Sequence, residues 1–119
     1  MADKPHGCGI GPAFEAIGGK WKAAILWEMQ AKPRRFGELR RLVTGISEKM
    51  LAQQLRELEA AELVERRVLH VVPAHVEYSA TAWGRSLNAA LGPLADWGER
   101  YDLALHVRLR PAANSRGTP

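Results

Sequence analysis

Apolar residues recur at helical spacing through the first half of the chain, and this pattern predicts four short helices. A helical turn is expected after Pro12, and further helices are expected over about residues 20–31 and 36–43. The fourth helix should end near Ala61. The third helix is expected to turn three apolar side chains inward: Phe36, Leu39 and Leu42.

A tight turn is predicted between the third and fourth helices. Gly45 lies in this turn, and Ser47 suits the N-cap of the fourth helix because its hydroxyl can accept a hydrogen bond from a free backbone N–H. The fourth helix carries one apolar face: Leu51, Leu55 and Leu58. Two amphipathic helices joined in this way are typical of a helix-turn-helix, whose second helix can enter the DNA major groove.

A β-hairpin is predicted next. Residues 63–72 are rich in valine and leucine, Pro73 interrupts them, and residues 76–79 form a second candidate strand. Thr81 then suits the cap of a long helix, which Pro93 should kink or divide. The order predicts a mainly α fold with a small β-hairpin wing (α+β): a winged helix-turn-helix with a tri-helical core and a C-terminal dimerisation helix.

One domain is expected from the length of 119 residues. Residues 1–11 are predicted to form a flexible N-terminal arm, residues 12–107 the winged helix-turn-helix domain with its dimerisation helices, and residues 108–119 a disordered basic tail. No apolar run suits a membrane span or a secretory leader, so a cytoplasmic location without membrane contact is expected.

The charge balance favours an anionic partner. Lysine and arginine total 17 against 13 aspartate and glutamate residues, which gives a formal net charge of +4. The four histidines and the single cysteine show no metal-ligand spacing, and no serine, histidine and acid arrangement can be argued. We therefore expect no catalytic residues, no metal, no cofactor and no enzymatic activity.

The fourth helix offers the candidate reading surface. With its leucines turned inward, Lys49, Gln53 and Arg56 project from the opposite face, and Met50 and Gln54 lie on the flank. Lysine and arginine can reach phosphates or guanine edges, and glutamine can pair with adenine through two hydrogen bonds. The same pattern also suits the solvated face of an ordinary bundle helix, and that alternative stays open.

Two further groups of charges surround this helix. Arg67 and His75 on the hairpin are expected to touch the sugar-phosphate backbone or an adjacent minor groove. Exposed charges without a partner are the alternative, and for Arg66 that alternative is at least as strong. A basic cluster flanks the first helix of the motif, which usually crosses the DNA backbone. Its members are Lys32, Arg34, Arg35, Arg40 and Arg41. Some of them must face away from DNA, since consecutive helix positions diverge, and a solvated run of charges is the alternative explanation.

An apolar and aromatic stripe along the last helix predicts a homodimer, because so small a domain has limited room to bury it. A two-fold dimer would present two recognition helices to a palindromic double-stranded operator. The expected interface residues are Phe14, Ile17, Leu94, Trp97, Tyr101 and Leu105. An intramolecular core is the alternative explanation.

Several short segments, all in register, carry a family resemblance over nearly the whole chain except its ends. They are residues 8–12 (CGIGP), 17–21 (IGGKW), 36–41 (FGELRR), 45–51 (GISEKML), 55–59 (LRELE), 63–64 (LV), 72–79 (VPAHVEYS), Thr81, 84–87 (GRSL) and 97–98 (WG). In these segments the chain resembles the HxlR-type winged helix-turn-helix regulators.

The resemblance implies a dimeric repressor or activator of neighbouring genes, with an interface built from the N-terminal and C-terminal helices. It assigns the DNA-reading role to Ser47, Lys49, Met50, Gln53, Gln54 and Arg56. It assigns the wing role to the region of Arg67 and His75. The family wing often carries an arginine where this chain has His75, so mildly pH-dependent binding is expected.

Cys8 occupies the position of an N-terminal cysteine that, in the resembling family, often senses a small electrophile or oxidant. Its thiolate would attack the electrophile or be oxidised, with a disulfide to a partner subunit as one outcome. An inert cysteine packed near the dimer interface is the equal alternative. The alternative function is a winged-helix protein-interaction module without nucleic-acid binding, against which a steep salt dependence would argue.

Overall fold

The computed structural model describes residues 8–109, with side chains described as far as residue 107. The expected arm and tail therefore lie largely outside the described residues. Helices and strands follow in the predicted order, which confirms the winged helix-turn-helix arrangement. The elements are α1 Ile10–Ala16, α2 Lys22–Trp27, α3 Phe36–Leu42, α4 Glu48–Ala60, β1 Val64–Leu69, β2 His75–Ala80 and α5 Ala82–Leu109.

The first two helices differ from their predicted bounds. α1 begins at Ile10, inside the segment expected to be an arm, and Pro12 lies in its first turn, where a backbone N–H is not needed. α2 ends at Trp27, several residues before the predicted position. The chain tightens there into shorter i→i+3 bonds, since the Met29 N–H donates to the Leu26 carbonyl oxygen at 3.0 Å.

A hydrophobic core gathers the inner faces of α2, α3, α4 and the hairpin. Its buried members are Ile25, Leu26, Met29, Leu39, Val43, Ile46, Leu51, Leu55, Leu58, Leu63, Val64 and Ala80. Burying one leucine side chain stabilises a fold by about 1.5–3 kcal/mol. The prediction for α3 is confirmed at Leu39 but wrong at Leu42, which is 42% exposed. Val43 takes the inward position instead, because it lies four residues after Leu39 and so nearly above it.

Helix α4 has a defined cap at each end. The Ser47 hydroxyl oxygen accepts from the Met50 N–H at 3.1 Å, which confirms the predicted N-cap. After the last turn, Glu62 adopts a φ of 64°, in the left-handed region. Its N–H donates to the Glu59 carbonyl oxygen at 2.9 Å, and the Leu63 N–H donates to the Leu58 carbonyl oxygen at 3.0 Å. These two bonds form a Schellman motif that ends α4 and turns the chain into β1.

The hairpin pairs β1 with β2 in an antiparallel register that runs from Val64 opposite Ala80 to Leu69 opposite His75. The segment before α3 forms a single antiparallel β-bridge to the second strand, which the sequence pattern did not predict. The backbone of Arg34 exchanges two hydrogen bonds of 2.8 Å with the backbone of Tyr78. This bridge anchors the second strand to the chain that leads into the helix-turn-helix.

A capped turn joins the hairpin to α5. The Thr81 hydroxyl accepts from the Gly84 N–H at 3.0 Å and donates to the Glu62 carbonyl oxygen at 2.7 Å, so the predicted cap is confirmed. Gly84 leaves no room for a side chain, since a Cβ there would lie 2.1 Å from the Leu63 carbonyl oxygen. Buried Asn88 then donates from Nδ2 to the Leu26 carbonyl oxygen at 2.9 Å, which ties α5 to α2.

Helix α5 runs without a break through Pro93. Of the kink or division expected at this proline, the division does not occur. One compact unit of the chain ends at Asn88 and a second begins at Ala89. Among the described residues, no helix combines the length and the apolar character needed to cross a membrane.

Candidate nucleic-acid interface

Helices α3 and α4 form the predicted helix-turn-helix. The turn between them passes through Gly45, whose φ of 88° lies in the left-handed region that glycine tolerates best. Ile46 is buried directly after this glycine, and Ser47 then caps α4. Because Leu39 and Leu51 belong to the same core, the outer face of α4 is held in place by the buried faces of both helices.

The outer face of α4 presents the three side chains that its helical period predicts. Lys49, Gln53 and Arg56 are all exposed, opposite the buried leucines. Met50 is half-buried and packs against the core. Gln54 lies on the inner side, is only 9% exposed, and donates from Nε2 to the Met50 sulfur at 3.5 Å.

The position of Gln54 corrects its assignment to an accessible flank. This residue follows Leu51 by three positions and precedes Leu58 by four, so it shares their helix face. Its amide is engaged with Met50 inside the domain. The accessible polar face of α4 is therefore narrower than the sequence predicted.

The start of α4 carries an ion pair. Arg40 of α3 donates from Nη1 to Glu48 Oε2 at 3.1 Å, and both side chains are at least half exposed. Exposed pairs of this kind contribute about 0–1 kcal/mol to stability. Arg40 therefore remains available to exchange its carboxylate partner for a phosphate.

The basic cluster before and along α3 divides into anchored and exposed members. Arg34 is half-buried and donates from Nε to the Glu28 carbonyl oxygen at 2.7 Å, in addition to its backbone bridge. Arg35 is exposed, and its backbone N–H donates to Glu38 Oε1 at 2.8 Å. That hydrogen bond lowers the pKa of Glu38, with help from nearby positive charges such as that of Arg41. Arg34 thus has a structural role that the sequence pattern did not reveal.

The two hairpin side chains assigned to DNA already have partners. Arg67 donates from Nη2 to Glu65 Oε2 at 2.9 Å. His75 is half-buried, with Nε2 at 3.3 Å from Glu77 Oε2 and Nδ1 at 3.1 Å from the Pro73 carbonyl oxygen. Each acidic partner stands two residues away on the same strand, where alternation places both side chains on one face. The positive charge of Arg67 is therefore partly neutralised.

A three-residue contact on α4 went unpredicted. The Glu57 carboxylate accepts from Gln53 Nε2 at 3.2 Å through Oε2, and its Oε1 pairs with the Lys22 ammonium of α2. The hydrogen bond from Lys22, and then the one from Gln53, lower the pKa of Glu57. The spacing of Gln53 and Glu57 is a detectable i,i+4 signal. Lys22 stands 35 positions away from Glu57, so only the fold reveals its part.

The comparisons with known proteins agree with this geometry. A family model described as an HxlR-like helix-turn-helix matches residues 16–104. The chain belongs to the HxlR-like helix-turn-helix family. The resemblance argued from the motifs is thereby confirmed.

Relatives of this HxlR-like chain include regulators of known sequence and structure. YkvN of Bacillus subtilis (strain 168), named an uncharacterized HTH-type transcriptional regulator, is 46% identical over 98 residues, which cover 82% of this chain and 83% of YkvN. The redox regulator HypR in its reduced form is 41% identical with a TM-score of 0.76, and the match covers 82% of this chain and 97% of HypR. The reduced form of the transcriptional regulator YodB from B. subtilis is 37% identical with a TM-score of 0.69 over 76% of this chain and 88% of YodB.

The side chains assigned to a dimer interface are largely uncovered in this HxlR-like chain. In the first unit, Phe14 is 61% exposed and Ile17 is half-buried. In the second unit, the rings of Trp97 and Tyr101 stack with centroids 4.9 Å apart, and both remain more than half exposed. Leu94 is 50% exposed and Leu105 is half-buried.

Cys8 is exposed and carries a free thiol two residues before α1. It is the single cysteine of the chain, so any disulfide it forms joins it to another molecule. The structure therefore leaves this thiol accessible to reagents in solution.

Proposed function

We propose that this HxlR-like chain is a sequence-specific DNA-binding transcriptional regulator that acts as a homodimer on genes near its own. The observation that carries the proposal is the outer face of α4, where Lys49, Gln53 and Arg56 stand exposed on a helix anchored by buried leucines. A helix presented in this way suits the major groove, where such side chains meet base edges and phosphates. DNA binding would place the protein in the cytoplasm with the chromosome.

The surroundings of α4 suit the flanking phosphates. The Ser47 cap lies at the helix N-terminus, where the remaining free N–H groups favour an anion. Arg35, just before α3, is exposed and would contact the backbone without reading sequence. Arg40, Arg67 and His75 would contribute less than an unpaired cation, because the carboxylates of Glu48, Glu65 and Glu77 already engage them.

A homodimer explains the exposed apolar side chains of α1 and α5. Phe14, Trp97 and Tyr101 expose large apolar surfaces, which a second copy would remove from water. Two-fold symmetry would then set two copies of α4 on one face of a palindromic duplex.

The decisive experiment is a gel shift of the full chain with the DNA upstream of its own gene, at several salt concentrations and against competitor DNA. The expected result is a discrete complex that resists competitor and weakens steeply as salt rises, because bound phosphates release counterions. Weak, uniform binding to every duplex would count against a specific regulator. It would favour the protein-interaction module instead.

We also propose that Cys8 makes DNA binding sensitive to oxidants or electrophiles. HypR, which shares the fold and 41% of the aligned residues, is named a redox regulator. Two Cys8 thiols from two copies would lose two protons and two electrons to diamide, which is reduced to the hydrazine, and would form one S–S bond. Diamide should change operator binding by the wild-type chain and leave the Cys8→Ser variant unaffected. An equal response of both proteins would exclude Cys8 as the sensor.

A further inference from the structure

The side chains of Lys22, Gln53 and Glu57 form a chain of contacts from α2 to the exposed face of α4. Gln53 donates from Nε2 to Glu57 Oε2 at 3.2 Å, and the Lys22 ammonium pairs with the other carboxylate oxygen. Both oxygens of Glu57 are therefore engaged. Both contacts also keep this carboxyl group ionised by lowering its pKa.

The Glu57 carboxylate decides which way the Gln53 amide faces. An ionised carboxylate only accepts hydrogen bonds, so the amide nitrogen of Gln53 must be the atom that points toward it. The amide oxygen and the second N–H of Gln53 are then left for a ligand. One acceptor beside one donor is the pattern that pairs with the N6 amino group and N7 of adenine in the major groove.

We infer that Glu57 is a positioning residue that sets the base specificity of Gln53, an inference that rests on the proposed DNA binding. Without Glu57, the side-chain amide of Gln53 could rotate by half a turn, which exchanges the positions of its oxygen and its NH₂ group. Ordering such a side chain on a base costs conformational entropy that a preoriented side chain has already lost.

Lys22 completes this arrangement from the body of the domain. Its side chain is only 17% exposed, so the cation is held against the protein rather than free in solvent. Its ammonium pairs with Glu57 Oε1 and so holds the carboxylate in the position from which Oε2 accepts from Gln53. Lys22 thus fixes the carboxylate that orients the reading residue.

The test begins with the full-length wild-type chain selecting its operator from a pool of random duplexes. Affinity is then measured for every single-base variant of that operator. Gln53→Ala identifies the base pair that Gln53 reads. Glu57→Ala and Lys22→Met should each relax discrimination at that same base pair by about tenfold and leave the other positions unchanged.

Two comparisons separate positioning from a general effect on structure. Gln53→Ala combined with Glu57→Ala should match Gln53→Ala alone at the identified base pair, because Glu57 acts through Gln53. Glu59→Gln removes one negative charge from the same helix two residues farther on, and it should retain full discrimination. Urea unfolding of each variant checks that the domain remains folded.

The outcomes distinguish this inference from the proposed function. Full discrimination at the identified base pair in Glu57→Ala and Lys22→Met overturns the inference and leaves DNA binding intact, and so does an equal loss of affinity at every position. A Gln53→Ala variant that relaxes no position also overturns it. A wild-type chain that selects no sequence overturns both the inference and the proposed function.

Discussion

The recognition helix and the hairpin carry similar side chains, but the fold engages them differently. Among the described residues, Lys49 and Arg56 of α4 are exposed and enter no ion pair. On the hairpin, Arg67 pairs with Glu65, and His75 lies against Glu77. A cationic side chain that is already paired must exchange its carboxylate partner for a phosphate. Its contact with DNA therefore contributes less to the binding free energy. Composition alone does not distinguish these two surfaces.

The largest expected effect follows from truncating two side chains on the exposed face of α4. Lys49→Ala combined with Gln53→Ala should lower operator affinity by roughly 100-fold or more, because a base-reading pair alone contributes about 1–3 kcal/mol of discrimination. Gel shift measures the affinity, and size-exclusion chromatography should show an unchanged dimer. Arg67→Ala combined with His75→Ala is the matched control on the hairpin, with a much smaller loss. Full specificity in the α4 variant would refute the assignment of the reading face.

The second prediction concerns the close approach of Gly84 in α5 to Leu63, just before β1. Gly84→Ala should destabilise the fold by about 1–3 kcal/mol or more, since its Cβ would overlap the Leu63 carbonyl oxygen at the base of β1. Gly98→Ala on the same helix is the control, because a Cβ there meets no atom within 4 Å beyond its immediate chain neighbours. It should stabilise the helix by about 0.5–1 kcal/mol. Urea unfolding distinguishes the two, and equal stabilities would contradict the close approach at Gly84.

The third prediction concerns the C-terminal cap of α4, which connects this helix to the hairpin. Glu62→Gly should stabilise the chain by about 1 kcal/mol, because the left-handed conformation of Glu62 costs a residue with a Cβ about that much. Ala52→Gly, inside the helix, should instead destabilise by about 1 kcal/mol. Thermal unfolding provides the measurement. Loss of stability in Glu62→Gly would argue against the Schellman motif.

The smallest expected effect concerns the ion pair between Glu65 and Arg67 on the hairpin. Glu65→Ala should free the guanidinium of Arg67 and raise DNA affinity about twofold, while Arg67→Ala should lower it by a similar factor, as expected for an exposed pair worth about 0–1 kcal/mol. Fluorescence anisotropy at low salt resolves such changes. If neither variant alters affinity, the hairpin does not approach the duplex at Arg67.

Local signals predicted the elements well and the accessible site less completely. Ser47 and Thr81 cap the helices they were expected to cap, because a cap depends on residues three positions apart. The burial of Leu42 and of Gln54 was predicted wrongly. Both residues lie at the boundary between the buried and exposed faces of their helices, where a small rotation of the helix about its axis decides whether a side chain is buried. The partners of Arg67 and Glu57 were also missed, since a residue type does not state whether its charge is already paired.

The sequence by itself determined the order of helices and strands, the helix-turn-helix and the family, because apolar spacing, caps and turn residues act over a few positions along the chain. Only the tertiary structure decided the contacts between elements that are distant in sequence. Lys22 meets Glu57, and Arg34 meets Tyr78, across 35 and 44 positions of sequence, counting from one residue number to the other. Such pairs form only after packing of the core has brought distant elements together, so no local pattern encodes them directly.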